Sequence, residues 1–168
     1  MNSEPILLID TSYISFYRFH ATVFWYKKAN QKKEIPPDYD WFKDSVFMDK
    51  FSIMYLRGID KINKKFNIPY SNFVFGLDCK RENIWRTKIF PEYKIQREKI
   101  YKDKNWKGGP VLKYAHTELV QRLCKQHDMR VFNVDGLEAD DILAVIKTHI
   151  RKTEPNREIV IITNDCDY

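Results

Sequence analysis

The sequence predicts an α/β fold: a mostly parallel sheet flanked by helices, with an exposed basic segment. Three observations predict it. Four short runs, Ile6-Leu7-Leu8-Ile9, Phe73-Val74-Phe75, Val131-Phe132-Asn133-Val134 and Ile159-Val160-Ile161-Ile162, are apolar and rich in β-branched residues. Their apolarity is continuous rather than alternating, which is the pattern of strands buried on both faces of a parallel sheet. Helical patterns lie between the runs, so strands and helices alternate.

Taken in order, the first run ends at Asp10. The stretch from Lys27 to Asp40 is polar, contains Pro36-Pro37 and reads as a loop. Phe47, Phe51, Met54, Gly58, Ile62 and Phe66 recur at spacings of three and four, as on one helix face. The second run follows. Tyr93 to Gly109 has weak periodicity and heavy positive charge, as in an exposed excursion. Gly108-Gly109-Pro110 is a helix start signal, continued by Leu112, Ala115, Leu119 and Leu123. After the third run, Asp135 and Glu138 have the spacing of a capping box, and Ile142, Val145, Ile146 and Ile150 form the last helical stripe. No internal repeat or low-complexity tract interrupts the pattern. The length of 168 residues and the hydrophobic content of 43% suit one domain with its own core.

Several classes are disfavoured. No apolar run has the length of a membrane span, and Met1-Asn2-Ser3-Glu4 lacks the features of a signal peptide, so a soluble intracellular protein is expected. Three cysteines, Cys79, Cys124 and Cys166, without CxxC or HxxxH spacing, describe neither a disulfide framework nor a zinc site. Cys79 and Cys166 read as small fillers beside acidic residues.

The strand ends carry the chemical signal. Asp10 follows the first run, Asp78 the second, Asp135, Glu138, Asp140 and Asp141 the third, and Asp165 and Asp167 the fourth. In a parallel sheet all these ends lie along one edge, the edge where α/β folds place ligands. Like charges ~4 Å apart repel by about 4 kcal/mol at an effective dielectric of ~20. Asp10, Asp78, Glu138, Asp140, Asp141, Asp165 and Asp167 therefore could not converge ionised without cations, and oxygen-only ligand sets suit Mg²⁺, Mn²⁺ or Ca²⁺. N-terminal capping is the plainer reading of one or two of these acids. Asp44, Asp49, Asp60, Asp103 and Asp128 fit no strand end and are expected on the surface.

The net charge of +6 is concentrated. From Lys80 to Lys107 ten basic residues face four acidic ones, which leaves the whole +6 excess in that segment. Such a stretch is the footprint of a polyanion partner, or a solvated face. Trp85, Phe90, Tyr93, Tyr101 and Trp106 interleave with the charges and could stack on unpaired bases; Trp85 and Phe90 are expected in the core instead.

Four blocks, LLIDTSYISFYRFHA (7–21), FVFGLDCKRENIWRTKIFPEYKIQR (73–97), VDGLEADDILAVI (134–146) and IVIITNDCDY (159–168), resemble the 5′ nucleases. These are the phage 5′-3′ exonucleases, the 5′-nuclease domain of bacterial DNA polymerase I and, more distantly, the flap endonucleases. The resemblance implies a PIN-like core that hydrolyses DNA phosphodiester bonds at a two-metal Mg²⁺ site, with Mn²⁺ able to substitute. It makes Asp10, Asp78, Glu138, Asp140, Asp141, Asp165 and Asp167 metal-site carboxylates. Lys94 and Arg97 become catalytic cations at the scissile phosphate. Tyr93, Arg86, Lys99, Lys102, Lys104 and Lys107 become nucleic-acid contacts, the residues after Arg97 belonging to an arch over the site. DNA with a free 5′ end or flap is the implied partner of a monomer.

The family continues past the fourth block with a helix–three-turn–helix module, so residues 1–168 are expected to be a truncated N-terminal catalytic domain, with the missing part, as a separate chain, a candidate partner. The spacing between Tyr17-Arg18 and His20-Ala21 is one residue shorter than the family's. A PIN-type ribonuclease and an inactive nucleic-acid-binding fragment are the alternatives.

Overall fold

The structure, a computed structural model, describes residues 4–32, 34–96, 99 and 105–165. Four strands, β1 (Ile6–Asp10), β2 (Phe73–Leu77), β3 (Arg130–Asn133) and β4 (Ile159–Ile162), form one parallel sheet in the order β3-β2-β1-β4. The helices are α1 (Thr11–Ala29), α2 (Ser45–Phe66), the short α3 (Trp85–Ile89), α4 (Gly109–Tyr114), α5 (Val120–His127) and α6 (Ala139–Thr153). A π-helical stretch, Ala115–Leu119, joins α4 to α5 in one rod, so the stripe from Leu112 to Leu123 is not a single α-helix.

Alternation along the strands sorts the core into two layers. Leu7, Ile9, Phe73 and Phe75 face the larger layer, where they meet Phe19, Phe47, Phe51, Tyr55, Val111 and Leu119 from α1, α2 and the α4–α5 rod. Ile6, Leu8 and Val74 face the smaller layer, covered by Leu143 and Ile150 of α6. The two inner strands are buried almost throughout, as their continuous apolarity predicts. The outer strands β3 and β4 keep partial exposure, and Phe132 is 42% exposed, because each has a neighbour on one side only.

Several sequence expectations are corrected. Helix α1 has apolar side chains around its whole circumference, so it shows no helical stripe; it runs to Ala29, three residues into the stretch read as a loop. Trp85 and Phe90 are exposed, not core. Asp44 and Asp60 are half-buried rather than on the surface. Asp44 caps α2 by accepting from the Phe47 N–H at 2.9 Å, and it also accepts from the hydroxyls of Tyr26 and Tyr39. Asp60 accepts from the Tyr70 hydroxyl at 2.7 Å. The capping box of α6 opens at Glu138 and closes with Asp141, three residues later than read.

Two features place the acidic edge. Register pairs Asp10 with Gly76 and Ile9 with Ile162, so β1, β2 and β4 end together. The chain winds outward from β1 through β2 to β3, then crosses to the other side of β1 to form β4. That reversal opens a crevice at the carboxyl ends of the strands. Gly76 allows α6 to approach the sheet: a Cβ there would lie 3.1 Å from the Ala139 carbonyl oxygen and from Leu143 side-chain atoms. The acidic start of α6 is thereby brought against the end of β2.

Candidate active site

Asp10 ends β1 and caps α1, one carboxylate oxygen accepting from the Tyr13 N–H at 2.9 Å. Asp78 follows β2 and bridges two elements. Its Oδ1 accepts from the Ala139 N–H at 2.7 Å, at the start of α6, and its Oδ2 accepts from the Ser12 hydroxyl at 2.5 Å, at the start of α1. Glu138 is buried as the N-cap of α6, and Asp140 and Asp141 occupy its first turn, where the helix dipole favours acids. One oxygen from each of Glu138, Asp140 and Asp141 falls within 4.8 Å of the others.

These side chains open onto one cleft of about 630 Å³. Asp10, Asp78, Glu138, Asp140 and Asp165 line it together with Lys94, while Ser12, Tyr13, Phe16, Leu112 and Asn164 complete the wall. Asp141 does not. Both its oxygens are held by Arg86 at 2.7 Å in a bidentate pair, and the Trp85 indole N–H adds a bond of 3.2 Å. Of the sequence-derived metal carboxylates, the structure thus gathers five in the cleft and places Asp141 beside them. Asp167 lies outside the described residues, as do Arg97, Lys102 and Lys104. Lys99 and Lys107 are exposed.

Glu138 accepts from Lys94 Nζ at 2.7 Å, from the Tyr93 hydroxyl at 2.8 Å and from Arg86 at 3.0 Å. The segment carrying these donors is anchored to the acidic loop by backbone bonds from the Cys79 N–H to the Leu137 carbonyl and from the Trp85 N–H to the Gly136 carbonyl. The Arg86 guanidinium also lies over two rings, 4.8 Å from the Trp85 ring centre and 5.8 Å from that of Tyr93. Lys94 has φ +55°, a left-handed conformation that costs a non-glycine residue about 1–2 kcal/mol. The turn is held by Arg81, which donates to the Tyr93 carbonyl at 2.9 Å.

Among the described residues, carboxylates outnumber cations in the cleft lining. Burial raises the pKa of Asp10, and the neighbouring charges of Asp78 and Asp140 raise it further. Burial likewise raises Asp140, aided by Glu138 and Asp141. Asp141 moves the other way: burial opposes its ionisation, but hydrogen bonds from Arg86 and the Glu138 N–H outweigh it. Burial disfavours the Lys94 ammonium, yet the hydrogen bond to Glu138 and the one to Tyr93 raise its pKa. Among the described residues no cation pairs with Asp10 or Asp78. An all-oxygen donor set of this kind suits a hard divalent cation, and no Cys or His is among the described residues that line the cleft.

The model of the 5′-3′ exonuclease N-terminal, resolvase-like domain matches residues 5–168, nearly the whole sequence. The chain belongs to that family. The fold agrees with two solved structures from T5. One is the T5 D15 protein co-crystallized with metal ions: TM-score 0.61, 20% identity, covering 97% of this chain and 49% of that one. The other is the T5 5′-exonuclease with zinc bound: TM-score 0.58, 22% identity, covering 96% of this chain and 49% of that one. At such identities the likeness is one of fold, and the chain spans about half the length of these proteins. Curated proteins gave no match. No helix among the described residues is long and apolar enough to cross a membrane.

Sequence reading missed Ser12, Tyr13, Phe16, Leu112 and Asn164 as cleft residues. Ser12 had a usable signal, a hydroxyl two positions after a strand-end aspartate. Leu112 had none, because its approach depends on how the α4–α5 rod crosses α1.

Proposed function

We propose that this family member carries the catalytic core of a divalent-metal-dependent 5′ nuclease that hydrolyses DNA phosphodiester bonds at or near a free 5′ end. The observation that carries the reading is the convergence of Asp10, Asp78, Glu138, Asp140 and Asp165, from three strand ends and one helix start, on a cleft that also contains Lys94. Asp10, Asp78, Asp140 and Asp165 would hold Mg²⁺ or Mn²⁺, with Glu138 at the margin and Asp167 as a further ligand. When bound, such a cation lowers the pKa of water and stabilises charge on phosphate oxygens.

The chain's own groups supply the rest. Carboxylates repel the substrate's phosphate, so a cation of the protein must meet it, and Lys94 is the one lysine among the described residues of the cleft wall. The family resemblance gives Arg97 the same role. Tyr13 and Phe16 present aromatic surface to an unpaired nucleotide. The basic residues Lys99, Lys102, Lys104 and Lys107 draw the DNA backbone toward the cleft. Such an activity serves DNA replication and repair, and the chain acts as a monomer.

Cleavage of a labelled 5′-flap duplex, a blunt duplex and single-stranded RNA of the same sequence tests this. Release of 5′ products from DNA in Mg²⁺ or Mn²⁺, abolished by EDTA and by Asp78→Asn, is expected. Cleavage of RNA alone would favour a PIN-type ribonuclease, and DNA binding without cleavage in saturating Mn²⁺ a binding module.

A further inference from the structure

Arg86 stands in the basic segment, where a phosphate contact is the natural expectation, but its geometry points inward. It donates to both oxygens of Asp141 at 2.7 Å and to Glu138 at 3.0 Å, and lies 3.9 Å from Asp140. Its side chain is 26% exposed and packed against the Trp85 and Tyr93 rings. A guanidinium in contact with two or three carboxylates has little net attraction left for a phosphate, while a bidentate fork fixes the orientation of the carboxylate it grips.

We propose that Arg86 is a positioning residue internal to the acidic cluster, which reserves Asp141 for itself and withholds it from the metal, rather than a DNA contact. The arrangement divides the acidic run in two. Glu138 and Asp141 are compensated from the protein and lock the capping box of α6, since Asp141 Oδ2 also accepts from the Glu138 N–H at 3.1 Å. Asp140, between them in sequence, is left to the cleft with Asp10, Asp78 and Asp165. Arg86 thereby sets how much negative charge the cation meets.

The inference rests on the metal-dependent reading above, and its test has readouts other than cleavage. Mn²⁺ alone is titrated calorimetrically into the metal-free full chain and into Arg86→Gln and Arg86→Lys. Binding of a 5′-tailed DNA duplex in EDTA is measured across a salt series. Loss of a positive charge beside the cluster and release of Asp141 should tighten Mn²⁺ binding about fivefold in Arg86→Gln, with Arg86→Lys near the parent. The salt slope of DNA binding should not change. Mn²⁺ affinity that is unchanged or weaker in Arg86→Gln would overturn the proposal. So would a salt slope reduced by about one, the signature of a lost phosphate contact. Should Arg86→Gln fail to fold, the double variant Arg86→Gln/Asp141→Asn removes the charge pair together. Parental Mn²⁺ affinity is then expected, and a tenfold loss would make Asp141 a ligand and overturn the proposal. A parent chain that binds no Mn²⁺ would instead overturn the functional reading beneath it.

Discussion

Lys94 Nζ lies 2.7 Å from Glu138 Oε1, a contact between residues 44 positions apart that joins the basic segment to the acidic edge of the sheet. The lysine holds a left-handed backbone to make it and stands on the cleft wall among the carboxylates. A cation so placed can exchange a carboxylate for a phosphate oxygen as substrate enters.

Lys94→Met is therefore expected to lower kcat by about a hundredfold while changing DNA affinity less than threefold, because the charge it meets develops in the transition state. Single-turnover cleavage and equilibrium DNA binding check this. Equal losses in both would make Lys94 an ordinary phosphate contact.

Asp10 and Asp140 have folded-state pKa values raised above 3.8. Their ionisation is thus less favourable in the folded chain than in the unfolded one. Metal-free stability contributed by these groups falls as pH rises from 3.8 through their raised folded values. Asp140→Asn should flatten that decline and leave the metal-free chain as stable as the parent, or more so, while abolishing stabilisation by Mn²⁺. Thermal melts between pH 3.5 and pH 7, with and without Mn²⁺, measure both.

Asp141 has the opposite sign. Its pKa is depressed, so the stability it contributes is present above 3.8 and is lost as pH falls through the lower folded value. Asp141→Asn should destabilise the chain at pH 7 by about 1.5–3 kcal/mol, the range for hydrogen bonds to charged groups. Urea unfolding at pH 7 provides the number.

Gly76→Val should cost about 1–3 kcal/mol, because the added atoms press on the Ala139 carbonyl and Leu143 where α6 meets β2. The displacement would also stretch the Asp78–Ala139 bond, so Mn²⁺ affinity should fall along with stability. A variant that lost stability but bound Mn²⁺ unchanged would show that the close approach serves packing alone.

The strands and their acidic ends were legible because each is local: an apolar run followed by an aspartate. Asp10, Asp78, Asp140 and Asp165 needed only a shared edge, which a parallel sheet supplies. What was not legible depended on partners far along the chain. Arg86 reads as one more positive charge until Asp141, 55 positions away, is seen to take both arms of its fork. Helix α1 gives no stripe because it is apolar on every side, and Asp44 looks like a surface acid until Tyr26 and Tyr39 converge on it. Trp85, expected in the core, is exposed, and its indole N–H reaches Asp141 at the rim of the acidic cluster.

An anomalous difference map from crystals soaked in Mn²⁺ would show whether the acidic cleft is a divalent-cation site. A peak is expected in the cleft within coordination distance of carboxylate oxygens from Asp10, Asp78, Asp140 or Asp165, with Asp141 still in the grip of Arg86. A saturating soak that left the cleft without a peak, or one that put Mn²⁺ only elsewhere on the surface, would contradict it.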